Sequence, residues 1–120
     1  MSIRHQMRQK VESLFKSMID DPDFPREEEA VVYVVFVPQE GEVSEEQIEV
    51  SEQEVDLEDK ESVKRFLDRT TRESLEADVK GQKIYGYVFE SEEGLKIITQ
   101  ESEDLSDLIL TRIERMREEV

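Results

Sequence analysis

The stretch AVVYVVFV, Ala30 to Val37, constrains the architecture of this chain more than any other segment. Eight apolar residues follow one another, and all but Ala30 are β-branched or aromatic, which suits a pleated strand better than a helix. A strand with one wet face alternates apolar and polar residues. This one does not, so both of its faces need cover, and the run predicts the central strand of a sheet. A run of this length is also far short of the ~20 apolar residues that cross a bilayer as a helix.

The flanking sequence supplies the other elements. Ile3, Met7, Val11, Leu14 and Met18 recur at helical spacing, with Phe15 and Ile19 widening the stripe, so residues 3–19 predict an amphipathic helix. Pro22 and Pro25 forbid its continuation. Asp59 is a candidate N-cap for a second helix over about residues 60–77, with Val63, Phe66, Leu67, Thr70 and Ala77 on its apolar face. KIYGYVFE, SEEG and LKIITQ read as a hairpin closed at Gly94, with Tyr85, Tyr87 and Phe89 on one face and Ile84 and Val88 on the other. Ser102, Glu103 and Asp104 suit the opening of a last helix, whose stripe is Leu105, Ile109, Ile113 and Met116, broadened by Leu108 and Leu110.

Residues 39–59 contain ten acids and no base, and so carry −10 of the net −16. A general solvent adaptation would spread acids evenly, so the clustering marks a local feature. As a helix, VSEEQIEVSEQEVDL would split its apolar groups between two sides. At period two, Ile48 joins Val50 and Val55 joins Leu57, with Ser-Glu-Gln-Glu as a turn. The segment is therefore expected to form an acidic hairpin at the sheet edge, with a flexible loop as the alternative. The whole chain, 1–120, is expected to be a single α+β domain. The expected order is α-β-β-β-α-β-β-α, a mainly antiparallel sheet of about five strands with helices packed on one face.

Few catalytic chemistries fit the inventory. Without cysteine there is no thiolate nucleophile, thiolate metal site or disulfide, and the N-terminus has no signal-peptide apolar core, so a soluble cytoplasmic protein is expected. His5 is the only histidine, and no neighbour in the sequence orients it as a base. Asp20, Asp21 and Asp23 lack the glycine and late glutamate of a calcium loop and read as turn formers. The four glycines are too widely spaced for a phosphate loop. No catalytic residue, cofactor or metal is expected.

Pro22-Asp23, followed by Glu58-Asp59-Lys60, resembles the Pro-Asp and Asp/Glu-x-Lys pattern of a broad nuclease family. The resemblance covers five residues. It would imply two carboxylates on a divalent metal and a lysine on the attacking water, but the family carries these residues on adjacent strands, and here they flank a strand and open a helix. A charge of −16 also opposes a phosphate substrate, and no direct nucleic-acid binding is expected.

A basic stripe remains. Arg65, Arg69 and Arg72 fall within about 60° of one another on the second helix, opposite its apolar face. They suit ion pairs such as Arg65 with Asp68 and Arg69 with Glu73, or an acidic element from this chain or a second copy. The expected function is a non-catalytic protein-binding role, as an adaptor, chaperone-like or regulatory protein. Its candidate contact residues are Glu45, Glu46, Glu49, Glu52, Glu54, Arg65, Arg69, Arg72, Leu108 and Leu110. In element order and acidity the chain is similar to small secretion-chaperone-like proteins, and this implies dimers that bind partner segments. The alternative is an acidic nucleic-acid mimic that inhibits a DNA- or RNA-binding protein through its glutamates. Either way the partner is a protein, with a basic surface under the mimic reading, and no membrane is expected.

Overall fold

The computed structural model describes residues 2–119. Its elements are α1 (Ile3–Ile19), β1 (Ala30–Pro38), a 3-10 turn (Glu45–Gln47), β2 (Glu49–Val55), α2 (Lys60–Val79), β3 (Gln82–Ser91), β4 (Gly94–Thr99) and α3 (Ser106–Glu118). The fold is α+β. The four strands form one antiparallel sheet in the order β2-β1-β3-β4.

The helix limits follow from local chemistry. Ser2 caps α1 by accepting from the His5 amide at 3.2 Å, and Asp59 caps α2 by accepting from the Glu61 amide at 3.0 Å. Helix α3 starts at Ser106, later than Ser102 suggested. Asp104 there accepts from the Ser106 amide at 3.0 Å, and the residues before it are drawn into a turn.

The expectation of about five strands is corrected to four. The acidic segment does not fold back on itself: residues 45–47 form a 3-10 turn, and Glu49–Val55 runs as one strand along β1, from Phe36↔Glu49 to Ala30↔Val55. A single seven-residue strand places Val55 in the core beside α2 while Val50 packs on the other face, which a tight hairpin could not do. Pairing with β1 from Ala30 to Phe36 satisfies more backbone groups than a four-residue turn closing two short arms.

The helices do not share one face. Helices α1 and α2 cover one side, burying Val11, Leu14, Phe15, Met18 and Phe66 against Val32, Val34, Phe36, Tyr87 and Phe89. Helix α3 covers the other, where Ile109 and Ile113 meet Tyr33, Val35, Val37, Tyr85 and Val88. The reason lies in AVVYVVFV itself: alternate residues of β1 enter different cores, so a layer is needed on each side. On the two-helix side aromatic rings run in contact, Phe15 with Phe66 at 5.5 Å and Phe66 with Tyr87 at 5.6 Å between centroids. The Tyr87 hydroxyl donates to the Val11 carbonyl at 3.1 Å, and burial pushes its phenol pKa up.

One face assignment is also corrected. Tyr85 does not join Tyr87 and Phe89, and Ile84 does not join Val88. The register shifts between Val35 and Phe36, so that Val35 faces Gly86 while Phe36 faces Ile84, and Tyr85 is the extra residue of a bulge. Tyr85 therefore enters the α3 core. Its hydroxyl donates to the Glu103 carbonyl at 2.8 Å and accepts from the Leu105 amide at 3.2 Å, fixing the turn from which α3 departs. Gly86 has no substitute at the bulge, since a Cβ there would sit 2.0 Å from the Ile98 carbonyl oxygen.

Candidate docking surface at the β2 edge

The two edges of the sheet differ in what lies beside them. At β2, the polar residues between strand and helix hold α2 in place. Glu73, with a side chain 21% exposed, accepts from Ser51 Oγ at 2.9 Å and from Gln53 Nε2 at 2.7 Å, and pairs with Arg69 at 3.5 Å. Gln53 is buried, and its Oε1 accepts from Thr70 Oγ1 at 3.4 Å. One helical turn of α2 is thus tied to two alternate residues of β2. Near the other end of the strand, the Asp56 amide donates to Ser62 Oγ at 3.0 Å.

These two ties fix the relative direction of helix and strand. From Ser51 to Asp56 the strand advances about 17 Å. From Glu73 back to Ser62 the helix covers about 16 Å. The near-equal lengths mean that α2 lies along β2, antiparallel to it, over the length of the edge.

Arg65, Arg69 and Arg72 are all exposed on the outward side of α2. Together with Gln53, Glu54 and Phe66 they line a shallow concavity of about 390 Å³. Arg65 and Arg69 also flank a neighbouring hollow that contains Glu52 and Glu54. Of the ion pairs expected from the sequence, Arg69 with Glu73 forms, whereas Asp68 turns away from Arg65 and meets Arg8 at 2.6 Å between the two helices. Among the described residues, Arg65 and Arg72 have no carboxylate within ion-pairing distance.

The acidic candidates are dispersed. Glu45 lies in the 3-10 turn with a side chain 17% exposed, paired with Arg115 at 2.7 Å, and Glu46 beside it is exposed. Glu49 lines a hollow under α2 with Glu73 and Lys80. Glu52 and Glu54 alternate with the buried Gln53 and Val55, so they project to the α3 side of the strand. There Glu52 stands opposite Tyr33, whose phenol pKa is raised first by burial and then by the Glu52 carboxylate. The five glutamates do not form one rail. On α3, Leu108 packs half-buried against the core of its own face, whereas Leu110 is half-buried outside both cores.

Sequence reasoning missed Ser51 and Gln53, and gave Glu73 only its pairing with Arg69 and not its hold on β2. A single-strand reading would have found the first two, since stepping back by two from Val55 reaches Gln53 and Ser51 on the same face.

The β4 edge carries closed ion pairs. Lys96 Nζ is 3.0 Å from Asp21 and 3.0 Å from Asp23, which ties the loop after α1 to the strand. The Asp21 carboxyl is held below its ordinary pKa, first by the Asp23 backbone amide and then by Lys96. Glu101 bridges Lys83 at 2.9 Å and Lys10 at 3.3 Å. Burial raises its pKa, but the two ammonium groups outweigh this and the net shift is downward.

The five residues of the nuclease-like pattern are not brought together. Asp23 is bound at the β4 side, whereas Glu58, Asp59 and Lys60 follow β2 at the opposite edge and open α2. Among the described residues no group of three or more His, Cys, Asp or Glu side chains is disposed to hold a metal ion. None of the helices among the described residues is long and apolar enough to cross a membrane.

No protein-family model matches the chain, and no solved structure matches it. A protein of Aquifex aeolicus (strain VF5), described as an uncharacterized protein, is 46% identical over 121 residues, an alignment that spans the whole of both chains. With that identity over the full length, the chain belongs to one family with this Aquifex protein.

Proposed function

We propose that this chain is a non-catalytic protein-binding protein and that its docking surface is the β2 edge with the arginines of α2. The observation that carries this reading is the placement of Arg65, Arg69 and Arg72 along an open strand edge, two of them without a carboxylate at ion-pairing distance among the described residues, in a chain of net −16. Arginine forks aimed at solvent beside unpaired backbone groups suit a partner that brings carboxylates.

The test is capture from the source cells with tagged wild type and with the Arg65→Glu/Arg69→Glu/Arg72→Glu variant. Loss of a specific captured protein in the variant, with Leu110→Asp retaining it, supports this surface. Capture that survives in the arginine variant but fails in Glu46→Gln/Glu52→Gln/Glu54→Gln overturns it in favour of a nucleic-acid mimic.

A further inference from the structure

Resting on the protein-binding reading, the geometry points to a particular occupant. The outer edge of β2 accepts an extended segment of a partner protein as a fifth strand. That segment carries acidic residues at alternate positions facing α2 and basic or neutral residues at the positions between.

Three observations lead there. First, β2 ends the sheet, and no element among the described residues pairs with its outer side. An edge of this kind is a template for main-chain pairing with an added strand. Secondly, α2 runs along that edge, held by Glu73 on Ser51 and Gln53 and by Ser62 on the Asp56 amide. Residues four apart on a helix are separated by about 6 Å along its axis, and same-face residues on a strand by about 6.8 Å. Arg65 and Arg69 therefore match two consecutive same-face side chains of an added strand, and Arg72 lies about 4.5 Å further along the helix axis, short of a full strand step. Thirdly, the other side of β2 presents Glu52 and Glu54 at the same two-residue spacing. An added strand meets arginines on one face and carboxylates on the other, which sets the alternation of charge in its sequence.

The same pattern argues against a second copy of β2. Two copies joined edge to edge and antiparallel keep their faces, so Glu52 and Glu54 would meet their own kind and each arginine row would face another. Like charges directly opposite disfavour that pairing.

The experiment uses the intact chain and synthetic ten-residue peptides, with backbone amides followed by NMR. One peptide alternates Glu and Lys; a second has the same composition in two blocks; a third is the alternating peptide N-methylated at alternate amides, which removes main-chain donors. The alternating peptide is expected to shift and protect amides of Glu49–Val55. Affinity should fall at least about tenfold for the block and N-methylated peptides, for Arg65→Gln/Arg69→Gln, and on raising salt.

Equal binding of the N-methylated peptide overturns strand addition while leaving the protein-binding reading intact. So does an unperturbed β2 at millimolar alternating peptide, or concentration-dependent dimers that protect β2 without any peptide. Failure of the underlying reading is a separate result: the cellular partner is then still captured by the triple arginine variant.

Discussion

The β4 and β2 edges are built from the same kinds of residue and treat charge in opposite ways. At β4, acids and bases close on each other: Lys96 holds Asp21 and Asp23, and Glu101 holds Lys83 and Lys10. At β2, Glu73 is spent inward on Ser51 and Gln53, and Arg65 and Arg72 face solvent. Charge at one edge fastens the loop after α1 to the sheet, while charge at the other is left available. The difference shows that the net charge of −16 says less about recognition than which charges remain unmatched, and where.

The β4 edge is most vulnerable at Gly86. Gly86→Ala drives a Cβ into the Ile98 carbonyl across the β3–β4 pair, and the atoms it meets belong to the backbone and cannot swing aside. The expected loss is about 3 kcal/mol or more, read from urea unfolding, with the β4 amides losing exchange protection first. A variant as stable as wild type would falsify the bulge geometry.

At the other edge, Glu73→Ala removes the acceptor for Ser51 and Gln53 and leaves a buried amide under-satisfied. A loss of about 1–3 kcal/mol is expected in the same assay. Exchange should accelerate at Glu49–Val55 and leave β4 unchanged. Uniform acceleration across the sheet would mean that Glu73 does not tie α2 to β2 in particular.

Lys96→Met sharpens the contrast through pH. The Asp21 carboxyl is held low in the folded state, so it contributes stability above its unfolded pKa, and this is lost as the pH falls through the lowered folded value. Lys96 is shifted up, chiefly by Asp23 and Asp21, so its share is present below its unfolded pKa and lost as the pH rises through the raised folded value. The difference in urea midpoint between wild type and Lys96→Met should therefore be fullest near neutrality. It should shrink below about pH 4 and again above about pH 10. A difference that stays constant from pH 3 to pH 7 would assign Lys96 a packing role instead.

The smallest expected effect on folding is that of Arg65→Gln/Arg69→Gln/Arg72→Gln. All three side chains are exposed and one ion pair, Arg69 with Glu73, is lost, so stability should change by less than about 1 kcal/mol. The same variant should lose its partner. Large destabilisation would show that the arginines serve the fold, and the two edges would then no longer differ in kind.

Periodicity alone was enough for the elements whose environment is set locally. The α1 stripe from Val11 to Met18, the cap at Asp59 and the Phe66–Thr70–Ala77 face are legible because each buries one side of one helix. AVVYVVFV likewise announces a strand covered on both faces, and that reading was sounder than the expectation of helices on one side. What the chain could not disclose by itself depends on partners distant in sequence. Whether VSEEQIEVSEQEVDL turns or runs straight is decided by the length of β1 available to pair with it, and the side Tyr85 takes is decided by the register shift between Val35 and Phe36 on the facing strand. Charge follows the same division. The sequence shows three arginines on one face of α2, but only packing reveals that Asp68 goes to Arg8 and Glu73 to β2, because a carboxylate's partner is chosen by the tertiary neighbours within a few ångströms of it.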